Sequence, residues 1–287
     1  MKKEILISLS KKNKEERMVS IVYMVAGMSS RFGGRIKQFA KVGPDGETLI
    51  EYSVKQALNA GFDEVIFIVG EKTEAPFKEM WGDSYNGVSV RYARQSFSSE
   101  NRDKPWGTVD AILSAKEFLT KDFVVCNGDD IYGENAFRKI KEYLENSSDS
   151  VTIGYPLTGM LPEQGEVTRG MFTVDEKGYA TKIVEEFKMS RENFRERGYK
   201  EDDLTNVNLF GFHKEIVEHL QKQLDEFKKE NEHSRTAECL LPVELFHLIS
   251  QGKTRLRVYP TNDTWLGVTN PEDEAVVREK IANSHKK

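Results

Sequence analysis

The sequence predicts an α/β protein of three layers, with a mixed, mostly parallel central sheet covered by helices on both faces. Three observations carry this expectation. Short β-branched apolar runs alternate with helix-periodic segments through the first half of the 287-residue chain. The runs are almost continuously apolar, as strands buried on both faces are. A glycine-rich loop follows the first run, at the place where open sheets of this class bind ligands.

Taken in order, "VSIVYMVA" (19–26) reads as the first buried strand, and "TLIEYSVKQALNAG" (48–61) has helical spacing with Gly61 as its stop. "EVIFIVG" (64–70) and "VSVRYARQ" (88–95) read as strands, "TVDAILSAKEFL" (108–119) as a helix, "DFVVCNG" (122–128) as a strand and "ENAFRKIKEYLEN" (134–146) as a helix. A succession of βα units implies parallel pairing with right-handed crossovers. The second half changes character. "DSVTIGYPL", "GMFTVDEKGYATKIVEEF" and "NVNLFGFH" read as strands, with "DEKG" as a hairpin turn. A charged helix over 214–232 reads as a solvated face. An apolar segment, "TAECLLPVELFHLISQG", the strand "TRLRVYP" and a helix beginning near Pro271 complete the chain. Residues 1–17 are expected to form an extension. Residues 18–287 are expected to form one domain, in two halves, 18–148 and 149–287.

Composition excludes several classes. There are 42 Lys+Arg against 47 Asp+Glu, a net charge of −5, which argues against a nucleic-acid binder. No apolar run approaches the ~20 residues that cross a bilayer. The start, "MKKEILISLSKKNKEERM", has too short an apolar core for a secretory signal, so a cytoplasmic protein is expected. Cys126 and Cys239 sit in apolar runs without metal or redox spacing and are read as small buried hydrophobes. Oligomeric state is not legible, and an oligomer is compatible with the sequence.

The loop "MVAGMSSRFGG" (24–34), continued by "RIKQFAKVG", is the strongest local signal. From Gly27 to Gly43 it has four basic residues, Arg31, Arg35, Lys37 and Lys41, and no acidic one. A basic loop of small residues in an acidic chain suggests an anion site. Counted from Gly27, the spacing fits neither GxxxxGK[ST], since the sixth residue is Phe32, nor GxGxxG, since the third is Ser29.

What it does resemble is the signature of sugar-phosphate nucleotidyltransferases, G-x-G-x-R-[LMF] followed by a Pro-Lys or Lys-Gln pair. Here this reads Gly27-x-Ser29-x-Arg31-Phe32, then Lys37-Gln38. The resemblance runs in order along nearly the whole chain. "YARQ", ending at Gln95, resembles the strand end whose glutamine reads the base. "WGTVDAIL" (106–113) is similar to the helix start beside the nucleoside. "VVCNGDDIYG" (124–133) resembles the strand whose aspartate holds Mg²⁺. "RGMFTVDEKGYATKIVEEF", "NVNLFGF" and "WLGVTNPED" (265–273) are similar to the family's later segments. The resemblance implies the Rossmann-like, GT-A-like fold of nucleotide-diphospho-sugar transferases. It also implies a Mg²⁺-dependent transfer from an NTP, pyrimidine favoured, to a phosphomonoester, a sugar phosphate in first place.

Carried over by position, the resemblance implies Arg31, Lys37 and Asp129 as catalytic residues. It implies Ala26, Gly27, Met28, Ser29, Ser30, Gln95, Gly107 and Thr108 around the nucleotide, and Arg169, Gly170, Glu185, Lys188 and Asn208 around the acceptor. The chemistry agrees with such an inventory. The attacking phosphate is already largely ionised at neutral pH, because its second pKa is about 6. Such a reaction needs charge neutralisation and in-line positioning more than a general base. Arg31 on the β- and γ-phosphates, Lys37 on the α-phosphate and Mg²⁺ on Asp129 would supply this.

Two positions depart from the family. The second metal aspartate aligns with Gly267, so Asp263 and Asp130 are the substitute candidates. Glu186 stands where a lysine usually meets the sugar phosphate, leaving Lys188 or Arg169 to provide a cation. The alternatives are a GT-A-type glycosyltransferase, whose class usually lacks the basic loop, and a non-catalytic nucleotide-binding regulatory subunit.

Overall fold

In the computed structural model, residues 18–27, 32–268 and 270–284 are described. Strands β1 (Val19–Met24), β2 (Glu64–Val69), β4 (Val88–Arg94) and β5 (Asp122–Asn127) form the parallel centre of the sheet in the order β4-β2-β1-β5. The two-residue strand β3 (Ser84–Tyr85) closes that edge by antiparallel pairing with β4. In β1, Ile21 and Tyr23 pack on one face and Val22 on the other, which explains the unbroken apolar run.

The first face is covered by α1 (Leu49–Asn59), α2 (Glu74–Trp81) and α4 (Glu134–Asn146); α3 (Thr108–Ser114) lies on the second. Helix α1 begins where its sequence says it should. Thr48 accepts from the Glu51 amide, and Glu51 accepts from the Thr48 amide, a complete capping box. Helix α3 stops at Ser114, whose hydroxyl turns back to the Ala111 carbonyl at 2.6 Å, so the helix expected to reach 119 is shorter. Helix α2 went unforeseen, because Pro76 falls inside it; Pro is tolerated in a first turn.

After the two-residue strand β6 (Asp130–Ile131) and α4, strand β7 (Ser150–Pro156) leads into the short α5 (Leu157–Met160). Strands β8 (Val167–Val174) and β9 (Ala180–Met189) form the foreseen hairpin around Asp175–Gly178. The expected strand "NVNLFGFH" is instead broken into β10 (Leu204–Asn206) and β11 (Phe210–Phe212), with Asn208 between them at φ +57°. Strand β11 joins the main sheet between β5 and β7, whereas β10 leads from the end of β7 to the β8–β9 hairpin. Helices α6 (Ile216–Glu230) and α7 (Leu241–Ser250) complete the second face, and β12 (Leu256–Pro260) pairs in parallel with β7. Strand β13 (Leu266–Gly267) pairs with β6, and α8 (Asp273–Ser284) closes the described chain. Among the described residues no helix is long and apolar enough to cross a membrane.

Candidate active site

The carboxyl ends of β1, β2 and β5 converge, and glycines permit the approach. A Cβ at Gly128 would lie 2.2 Å from Val25 Cγ1, and one at Gly70 would lie 2.9 Å from the Ala26 carbonyl oxygen. Into this corner the chain brings Lys37, on a single 3₁₀ turn (Lys37–Phe39) anchored by Phe39 against Phe77 at 5.0 Å between ring centroids. The Lys37 ammonium forms an ion pair with Asp129, 92 residues away in sequence. Met28, Ser29, Ser30 and Arg31 lie outside the described residues.

Two cavities open here. The first, of ≈ 460 Å³, is lined by Ala26, Gly27, Gln95, Gly107 and Thr108 of the expected nucleotide set, with Gly70, Glu71 and Lys72 from the end of β2. Gly107 is held at φ +98°, and a Cβ there would lie 2.6 Å from the Cys239 carbonyl oxygen. Two backbone bonds tie this point down, from Cys239 N to the Trp106 oxygen at 2.7 Å and from Val109 N to the Cys239 oxygen at 3.1 Å. The Thr108 hydroxyl accepts from the Leu241 amide at 2.7 Å.

The second cavity, of ≈ 390 Å³, holds Arg169, Gly170, Glu185 and Asn208 of the expected acceptor set. Arg169 is fixed by donating to the Met160 carbonyl from Nε at 2.9 Å and from Nη2 at 2.7 Å, and its guanidinium lies 5.5 Å from the Trp265 ring. Burial lowers its pKa. Lys188 does not line this cavity; it is an exposed residue at φ +55°, at the end of β9. Glu186 does not line it either. Its carboxylate accepts from Tyr199 at 2.8 Å and pairs with Arg197 at 3.3 Å, so the aligned charge reversal falls away from the cavity.

Thr108 and Asn127 line both cavities. Asn127 also donates to Asp130 Oδ2 at 2.9 Å, and the Tyr132 hydroxyl lies 3.2 Å from the same oxygen. Asp130 is buried and lines the second cavity. Burial, then the neighbouring charge of Asp129, push its carboxyl up to about 8. A buried carboxylate short of positive charge, next in sequence to a second one, fits a divalent cation. Mg²⁺ takes one or two protein carboxylates and fills its octahedron with phosphate oxygens and water. No larger cluster of ligating side chains exists among the described residues.

The substitute aspartates separate cleanly. Asp263 is not brought to this pair: its Oδ2 accepts from the Ala136 amide at 2.8 Å and its Oδ1 from Asn135 at 3.0 Å, so it caps the first turn of α4. Gly267 pairs with Asp130 across β6 and β13, and a Cβ at 267 would lie 2.8 Å from Asp130 Oδ1. The Trp265 ring, 2.5 Å from that Cβ, and the Asp130 carboxylate together fill the space into which a side chain at 267 would project.

Sequence reasoning missed Asn127, Asn206 and Trp265, although each lies inside or beside a segment already singled out. It also missed the apolar wall that α7 gives the second cavity through Pro242, Val243 and Phe246. Helical periodicity marks such a face as apolar without saying what it faces.

A family model described as "Nucleotidyl transferase" matches residues 34–284. A UTP–glucose-1-phosphate uridylyltransferase, AglF, of Haloferax volcanii is 24% identical over 167 residues, which cover 57% of this chain and 63% of that protein. The bifunctional protein GlmU of Caldanaerobacter subterraneus subsp. tengcongensis is 30% identical over 184 residues, 63% of this chain and 36% of that protein. The chain thus spans less than two thirds of either relative. Among solved structures, a UDP-glucose pyrophosphorylase from Acinetobacter baumanii superposes with a TM-score of 0.66 at 18% identity, covering 94% of this chain and 95% of its own. At that identity the likeness shows the fold.

Proposed function

Because the chain belongs to the nucleotidyl transferase family, we propose that it is a Mg²⁺-dependent nucleotidyltransferase. It joins an NTP, a pyrimidine nucleotide by preference, to a sugar phosphate or another phosphomonoester and releases pyrophosphate. The observation that carries this reading is the pair of cavities sharing Thr108 and Asn127, with Asp130 lining the second and Asp129 held on Lys37 beside them. One cavity suits a nucleoside and the other a small polar acceptor, and the shared wall is where the α-phosphate and the attacking oxygen would meet. The relative named for UTP and glucose-1-phosphate supports a uridine nucleotide and a sugar 1-phosphate as the first pair to try.

In this reading the acceptor phosphate attacks the α-phosphorus while pyrophosphate departs on the opposite side. Lys37 neutralises charge on the α-phosphate, and Arg31 takes the β- and γ-phosphates. Asp129 and Asp130 would hold the cation, which would offset charge on the reacting oxygens. Asn127 keeps the Asp130 carboxylate oriented. Arg169 presents a rigid cation to the acceptor phosphate, and Glu185 and Asn208 present acceptors and donors to its hydroxyls. No side chain has to remove a proton, since the nucleophile is already ionised. Pyrophosphate release, followed for CTP, UTP, GTP, ATP and dTTP against a panel of phosphomonoesters, tests the proposal. Release with at least one pair, dependent on Mg²⁺, is expected; none with any pair overturns it.

A further inference from the structure

Gln95 lines the nucleotide cavity at the end of β4, its backbone amide tied to the Val69 carbonyl at 2.9 Å. Its side-chain Nε2 lies 3.1 Å from the Gly107 carbonyl oxygen and 3.0 Å from Asp110 Oδ2. A carbonyl and a carboxylate oxygen both act here as acceptors, so only the NH₂ end of the amide can face them. Reversing the amide would set Oε1 against two acceptors at once. Both Nε2 protons are therefore used on the protein side. Oε1 has no hydrogen-bond partner among the described residues and is not a buried orphan atom, so it is the end left to the cavity. Asp110 is itself anchored: Lys228, from α6, donates to its Oδ1 at 2.8 Å, and the same ammonium lies 5.8 Å from the Trp106 ring.

Resting on the reading above, we propose that Asp110, anchored by Lys228, is a positioning residue for base selection. It fixes Gln95 as an acceptor, so the site favours a base that presents a ring N–H at that point. Uracil, thymine and guanine carry such a donor. Cytosine and adenine turn a lone pair to the same position and must shift to offer an exocyclic amine instead. A Gln95 amide free to rotate would serve either kind equally. The discrimination thus comes from a carboxylate that acts with the Gly107 carbonyl behind Gln95, on a helix that does not supply the phosphate loop.

The test is kcat/KM for UTP, CTP, dTTP, GTP and ATP with the wild type, Asp110→Asn, Gln95→Leu and the double variant. Asp110→Asn can donate as well as accept, so it leaves the Gly107 carbonyl as the one fixed acceptor behind the Gln95 amide and lowers the cost of turning that amide over. We expect the UTP-to-CTP ratio to fall ~10-fold, the scale of one hydrogen bond, while saturated turnover with UTP changes far less. In the Gln95→Leu background the same substitution should leave the ratio unchanged, as coupling through one partner requires. Lys228→Met, half exposed on its helix, should move the ratio in the same direction and keeps the test open should Asp110→Asn fail to fold. A ratio that stays within ~2-fold in Asp110→Asn and Lys228→Met, or turnover lowered equally for every base, overturns the proposal. A wild type that neither binds nor turns over any NTP overturns the nucleotidyltransferase reading itself, and this inference with it.

Discussion

Gly107→Ala is the substitution with the most calculable result. The residue sits at φ +98° and ψ −167°, a region that side-chain-bearing residues essentially do not occupy. Holding alanine there costs about 2 kcal/mol. The new methyl would lie 2.6 Å from the Cys239 carbonyl oxygen, 2.8 Å from its nitrogen and 3.0 Å from its carbonyl carbon, all backbone atoms that cannot swing aside. Forcing two chain segments apart adds about 2 kcal/mol, the middle of the range for overpacking. The sum is ~4 kcal/mol; with an unfolding entropy of ~0.6 kcal/mol/K for a chain of this length, the melting temperature should fall by ~7 °C. The movement also displaces the carbonyl that receives Gln95 Nε2, so NTP affinity should fall together with stability. Differential scanning calorimetry with and without NTP measures both. A variant melting within ~1 °C of the wild type, with unchanged NTP affinity, would refute the close approach of Gly107 and Cys239.

Lys37→Ala and Asp129→Ala should each lower pyrophosphate release by at least ~100-fold, the scale of losing one preorganised charged group; near wild-type turnover in either removes that residue from the mechanism. Asp263→Ala should cost about 1 kcal/mol as a lost helix cap, read as a small drop in melting temperature, with turnover intact; a loss of turnover as large as that of Asp129→Ala would return Asp263 to the metal site. For Glu64, burial alone would raise the pKa, but the Ser20 hydroxyl, the Arg91 guanidinium and Lys121 outweigh it and hold the carboxyl below its usual range. Its ionised form therefore stabilises the fold above the unfolded pKa of about 4.3, and that contribution is lost as pH falls through the lower folded pKa. Urea melts of Glu64→Gln and wild type should accordingly differ most near neutral pH and converge in acid.

What the sequence made legible follows from local patterning. The helix over 134–146 was readable because Ala136, Phe137, Ile140 and Leu144 form a single stripe, and all four are buried against the sheet. The Asp175–Gly178 turn was readable from its residue types. Of the residues expected around a nucleotide, Ala26, Gly27, Gln95, Gly107 and Thr108 lie at strand ends and helix starts, and the structure brings these five to the lining of one cavity. What failed depended on where side chains point. Asp263 looked like a metal ligand from its neighbours in sequence, yet its carboxylate is used by the backbone of α4. Glu186 and Glu185 are adjacent letters, but only Glu185 lines the cavity, and strand alternation cannot be assigned to a face before the partner strand is known. The break at Asn208 is a single left-handed residue that asparagine permits without announcing.

The wall that Thr108 and Asn127 give to both cavities bears on the stereochemistry of the proposed reaction. With donor and acceptor held on either side of one partition, the phosphoryl centre has a single approach and a single exit, and no side chain need carry the nucleotide between them. A chiral α-thiotriphosphate should then emerge with its configuration inverted, and initial-rate lines for the two substrates should intersect instead of running parallel.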